Sequence, residues 1–184
     1  HLLSLEPHRI EELTIIESTK GSKVYKLAVE EQLPQTVYTL AELNRCKKVA
    51  DSVLNNKEFS GMVEDAEFEI PEIGNYNGFP FRGKADILLN GIVVDLKTTS
   101  DINSFYESAN TYNYDLQAAL YLELFGAFEF RYVVVDKKTL EVQVIQFDDE
   151  FIQRGYNKLN IATENYQKYI DNKEFYDLNY KNNV

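Results

Sequence analysis

Asp86, Asp95 and Lys97 combine residue types and spacing that suit hydrolytic chemistry. Between the two aspartates lies Asn90-Gly91, flanked by Ile87-Leu88-Leu89 and Ile92-Val93-Val94, the signature of a two-residue type I′ hairpin. Such a turn opposes 89 with 92, 88 with 93 and 87 with 94, and it predicts Asp86 directly across from Asp95. Cross-strand Cβ atoms lie about 4.5 to 5.5 Å apart and like charges there repel, so the pair calls for a compensating cation. Mg²⁺ fits best, because it takes oxygen ligands, needs few from the protein and fills its octahedron with water and substrate phosphate. Mn²⁺ is the alternative. Strand alternation puts Lys97 on the face of Asp95 and turns Leu96 into the core. A cation that polarises a phosphoryl oxygen and acidifies water, next to an ammonium that orients that water, equips a site to hydrolyse phosphodiesters. An arbitrary D-x-K is more often a salt bridge on a wetted strand. Here Asp95 interrupts an apolar strand and has Asp86 opposite, which favours the site.

The elements that must hold this hairpin are readable in outline. His1 to Arg9 reads as the end of a helix broken at Glu6-Pro7, and its abrupt start leads us to expect a missing upstream segment. Residues 14 to 35, with Gly21-Ser22 and Pro34, are expected to be irregular or short strands. Thr39 and Glu42 form a capping-box pattern ahead of the apolar stripe Leu40, Leu43, Val49, Val53 and Leu54, predicting a helix to about Asn55. Phe68 and Ile70 predict a strand before a turn region from Pro71 to Gly78, and the catalytic hairpin follows from Phe79. Helices are predicted at about 101 to 109, with Ser100 or Asp101 as cap, and at 113 to 125, closed by Gly126. A second hairpin around Asp136-Lys137-Lys138-Thr139 and a long helix from about 148 to 170 complete a mixed α/β chain, read as one domain over 1–184.

Residues 83 to 126, from Gly-Lys-Ala-Asp86 through Val-Asp95-Leu-Lys97-Thr-Thr to Tyr-Asp-Leu-Gln117-Ala-Ala-Leu-Tyr121, resemble the RecE-type exodeoxyribonuclease VIII group of the PD-(D/E)XK nucleases. The opening His1-Leu-Leu-Ser-Leu-Glu6-Pro7 matches that group as well. The resemblance implies a restriction-endonuclease-like α/β fold, a central mixed sheet flanked by helices, with the metal site where the sheet opens. It implies a metal held by His1, Asp86, Asp95 and the backbone carbonyl of Leu96. It also implies a Gln117/Tyr121 element that supports the catalytic residues and touches DNA. A leading histidine is also what an affinity-tag remnant leaves, so His1 keeps both readings; His8 reads as exposed. Glu67 matches an acidic position on the strand before Asp86 and would add a ligand or back up the ligands; Glu69 shares that strand face. Tyr114 lies one turn before Gln117 on the same stripe, and Thr98, Thr99 and Ser100 are placed to donate to DNA phosphate. Arg82 and Lys84, expected on the strand face of Asp86, are the nearest positive charges, with Arg45, Lys47 and Lys48 as a second patch. The activity implied is 5′ to 3′ digestion of linear double-stranded DNA ends in phage-type recombination, with a single-strand annealing recombinase as partner and a homo-oligomeric ring around the product strand. Other PD-(D/E)XK nucleases, RecB-like or restriction enzymes, share the same core, and a non-catalytic DNA-binding module would be favoured by a broken catalytic set.

Composition limits these readings. With 184 residues and 44% hydrophobic content the chain can bury one core, and its longest apolar runs are far short of the roughly 20 residues that span a bilayer. A single cysteine, Cys46, excludes an internal disulfide and a cysteine-ligated iron–sulfur cluster. With no basic-then-apolar leader, a reducing bacterial or phage-infected cytoplasm is the expected compartment. The net charge of −11 opposes DNA binding overall, so any affinity must come from a local field in which cations offset the carboxylates.

Overall fold

The structure, a computed structural model, describes residues 2–171. Its centre is a five-stranded sheet in the order β3-β4-β5-β6-β7, comprising β3 (Glu67–Tyr76), β4 (Phe79–Leu89), β5 (Ile92–Thr99), β6 (Glu129–Asp136) and β7 (Val142–Ile145). Only β5 and β6 run parallel. Helices cover both faces. On one side α1 (Leu2–Leu5), α3 (Leu40–Leu54) and α4 (Lys57–Val63) bring Leu5, Val53, Phe59 and Met62 onto Ile87, Val94, Leu96 and Val133. On the other, α5 (Phe105–Thr111), α6 (Tyr114–Phe125) and α7 (Asp149–Asp171) pack Phe105, Ala118 and Phe151 on Ala85, Val93, Tyr132 and Val134. A small parallel pair, β1 (Thr14–Ile16) with β2 (Val37–Thr39), and α2 (Lys23–Gln32) lie at the N-terminal side.

The turn chemistry behaves as predicted: Asn90 and Gly91 take φ of 49° and 83°, both left-handed as a type I′ turn requires. Thr39 and Glu42 form the reciprocal capping box of α3, and Gly126 closes α6. Two expectations fail. The segment 71 to 78 is not a turn region, since β3 runs on to Tyr76 and reverses only at Asn77-Gly78. Pro71 is tolerated there because β3 is a sheet edge, where a missing N–H leaves no ladder bond unmade. Residues 14 to 35 hold, besides β1, the ten-residue helix α2, capped by the Ser22 hydroxyl, which accepts from the Tyr25 N–H. None of the residues of α2 is buried. No described helix is long and apolar enough to cross a membrane.

α6 is tied to α7 at its first turn. Asp115, 0% exposed, receives Lys158 and Arg154 from α7 and the N–H of Leu116. Burial pushes its carboxyl upward, but the Lys158, Arg154 and Leu116 bonds outweigh this and hold it below the usual carboxylate range. A carboxyl depressed on folding stabilises above its unfolded pKa of about 3.9 and stops doing so as pH falls through the lower folded value. Asp115→Asn is therefore expected to lower Tm at neutral pH and to flatten the stability curve below about pH 4, as read by thermal melts at stepped pH.

Candidate active site

β4 and β5 form a regular ladder only from the turn to Ile87 and Val94. Beyond it β4 stays paired with β3 while β5 stays paired with β6, so the sheet opens between them. Asp86 lies at the mouth of this opening. The expected Asp86–Asp95 ladder pair does not form; instead the Asp86 carboxylate accepts from the Leu96 N–H at 2.7 Å, taking the place of a ladder bond. The β3–β4 ladder also skips the position where Glu69 faces Asp86, and Glu69 there has a left-handed φ of 56°. Two residues apart on a regular strand share a face, yet Ala85 packs under α5–α7 and Ile87 under α1–α4. The alternation therefore slips at Asp86. Arg82 and Lys84 share a face with one another, opposite that of Ala85.

Asp95 and Lys97 project from β5 toward α6, as alternation predicts. Asp95, 4% exposed, accepts from Gln117 Nε2 at 2.6 Å and pairs with Lys97 Nζ at 2.5 Å. The Lys97 ammonium also sits 4.9 Å from the centroid of the Tyr114 ring, a cation–π contact. Beneath it Tyr132, raised by burial and further by Asp95, stays protonated and donates to the Tyr114 carbonyl at 2.7 Å. Tyr121, one turn beyond Gln117, does not reach the carboxylates. Its hydroxyl donates to the Lys84 carbonyl at 3.2 Å, so α6 grips β4 two residues before Asp86. Gly83 makes room for this, since a Cβ there would lie 3.0 Å from the Tyr121 ring. Gln117 and Tyr121 thus each fix one wall of the opening.

The other candidates scatter. Glu67 is exposed and pairs with Leu88, on the hairpin side of Asp86, whereas Glu69 faces Asp86 and ion-pairs Lys84. Glu69 is therefore the acidic residue the geometry brings to the site. Thr98 lines a cavity with α3 behind β5, facing away from Lys97. Thr99 bonds Asp101 to shape the following loop, which Asp101 caps. Ser100 and Arg82 are exposed, as are Arg45, Lys47 and Lys48 on α3. His1 lies outside the described residues. Among the described residues no three His, Cys, Asp or Glu side chains converge on one point. Two carboxylates and a carbonyl still suit Mg²⁺, which keeps several waters and takes one or two carboxylates from a protein.

A mixed sheet flanked by helices, opened between two strands that carry D-x₈-D-x-K, is the PD-(D/E)XK arrangement. The chain belongs to the family described as PDDEXK-like domain of unknown function (DUF3799), whose model matches residues 1–177. Among curated proteins, none matches it. Of solved structures, a protein from Eubacterium rectale named only provisionally as an exonuclease is similar in fold, with a TM-score of 0.64 at 18% identity. The match covers 79% of this chain and 60% of that one, so the chain spans about three fifths of that protein's length. A phage-related exonuclease from Haemophilus somnus 129PT matches at a TM-score of 0.44 and 17% identity, covering 82% of this chain and 84% of that one.

Proposed function

We propose that the protein is a Mg²⁺-dependent deoxyribonuclease, acting as an exonuclease that digests linear double-stranded DNA from 5′ to 3′. The observation that carries the reading is the linked set Gln117, Asp95 and Lys97, held at the mouth of the opened sheet beside Asp86. A structural salt bridge would also gain from the glutamine, but a second carboxylate across the gap only weakens it unless a cation offsets the pair.

Asp86, Asp95 and the Leu96 carbonyl would hold the cation, and Mn²⁺ would substitute for Mg²⁺. When bound, that cation offsets the carboxylates and phosphate and lowers the pKa of water. The rest is done by the chain. Gln117 fixes the Asp95 rotamer, Asp95 and Tyr114 aim the Lys97 ammonium into the opening, and Lys97 donates to a phosphoryl oxygen as its charge grows. Tyr121 keeps β4, and with it Asp86, at a set distance from α6. A 5′ to 3′ digestion leaves a 3′ single strand, so a strand-annealing recombinase is the partner this reading implies.

The test uses linear duplex labelled separately at the 5′ and 3′ ends, and a closed circular duplex, each with Mg²⁺, Mn²⁺ or chelator. The expected result is metal-dependent loss of linear duplex with the 5′ label released first and circles left intact. Nicked circles would reassign the site to an endonuclease of the same class, and a folded protein inert with both metals would overturn the reading.

A further inference from the structure

Next to the candidate site the surface carries a largely exposed aromatic ring. Tyr112, at the end of α5, is 68% exposed, and its ring centroid lies 6.0 Å from that of Tyr114 at an interplanar angle of 32°. Tyr114 is the ring that carries Lys97 Nζ at 4.9 Å, so one ring separates Tyr112 from the ammonium. A solvent-facing ring is a surface on which a planar group can stack. Two cations flank this one. Arg154 Nη2 bonds the Asn110 side chain and Lys158 Nζ bonds that of Asn113, placing both charges at the α5–α6 junction that Tyr112 occupies. Their side chains are 43% and 31% exposed and share one buried carboxylate, Asp115, two cations to one anion.

We infer that Tyr112, with Arg154 and Lys158, is a binding rim for a single DNA strand, Tyr112 stacking on a base near the phosphate that faces Lys97. An aromatic platform with adjacent cations is how proteins hold single strands without reading sequence, the ring taking the base and the cations the backbone. The occupant is a single strand rather than a duplex because bases inside a duplex have both faces stacked already. Apart from the outer face of a terminal base pair, only an unpaired nucleotide, at a frayed end or in the product strand, offers a face to Tyr112. The adjacency to Lys97 gives the rim a role in the nuclease reading and rests on it; the strand binding itself does not.

The test measures binding of a fluorescent single-stranded oligonucleotide by anisotropy in chelator, where no cleavage occurs, alongside cleavage of linear duplex in Mg²⁺. Tyr112→Phe and Tyr112→Trp should bind as the parent does. Tyr112→Leu, which keeps an apolar side chain but loses the π-face, should bind about 10-fold more weakly, within the range for one lost base stack. Lys158→Gln should lower the slope of log affinity against log salt by about 0.7, the value for one phosphate contact on a single strand. Thermal melts confirm that the variants fold. Unchanged binding in Tyr112→Leu, or a parent protein that binds no single strand, overturns the inference, and does so whether or not the protein cleaves. Tyr112-dependent binding in a protein that cleaves nothing would uphold the rim and remove the nuclease reading.

Discussion

Asp95→Asn should leave a folded protein whose cleavage of linear duplex has fallen at least about 10³-fold, the upper end of the loss for one electrostatic contact in a hydrolytic site. The substitution preserves shape. Asn can still accept from Gln117 Nε2, so the buried hydrogen bond at 2.6 Å survives. What disappears is the negative charge, which the reading assigns to holding the cation and aiming Lys97. Stability moves little because two effects oppose one another: the Lys97 ion pair is lost, while repulsion from Asp86 is relieved. Asp95→Ala tests the same point less cleanly, since it leaves Gln117 facing a void in a site only 4% exposed. Lys97→Ala should lose activity to a similar degree with an unchanged Mg²⁺ requirement, whereas Asp95→Asn should move the Mg²⁺ midpoint upward. Rates across a Mg²⁺ titration, with melts on each variant, separate the two roles. A chain that unfolds on Asp95→Asn would make Asp95 a structural residue and remove the site.

Whatever depended on local chemistry could be read from the chain. The Asn90-Gly91 turn fixed a register that holds from Leu89 to Ile87, the capping box marked the start of α3, and the i, i+4 spacing of Gln117 and Tyr121 put both on the sheet side of α6. What escaped depended on partners far away in sequence or on the absence of a periodic signal. The break in the ladder at Asp86 is such a case: a turn sets the pairs next to it, but whether pairing continues depends on what enters the gap, here the Asp86 carboxylate and the Tyr121 hydroxyl. Glu69 was within reach. Taking Asn77-Gly78 as a second two-residue turn pairs Tyr76 with Phe79, and the same register carries Glu69 to Asp86. The Asp115, Arg154 and Lys158 cluster joins residues about forty positions apart, and neither helix pattern marks it.

Gly155 is the clearest instance of such hidden dependence, and Gly155→Ala should be among the most damaging single substitutions in the chain. In a helix interior alanine is favoured over glycine by about 1 kcal/mol, so on propensity alone the change would stabilise α7. A Cβ at Gly155, however, would stand 2.0 Å from the carbonyl oxygen of Asp115 and 2.5 Å from its carbon, both backbone atoms that no rotamer change can move aside. The helices must separate, which costs about 3 kcal/mol or more at the upper end of overpacking penalties and outweighs the propensity gain. Net of that gain the loss is about 2 kcal/mol or more, and at about 2 to 4 °C per kcal/mol for a chain of this size Tm should drop by at least roughly 4 to 8 °C. Gly61 in α4 supplies the control, because a Cβ there meets nothing within 4 Å and Gly61→Ala should raise Tm slightly. The consequence for function follows from α6 carrying Asp115 and Gln117 in its first turn and Tyr121 one turn further on. A shift of α6 away from α7 disturbs the Gln117 bond to Asp95 and the Tyr121 bond to Lys84 together, so cleavage should fall well below the parent even at temperatures where the variant is folded. If Gly155→Ala melts like the parent, the close α6–α7 crossing is wrong, and with it the account of how α6 holds the two walls of the site.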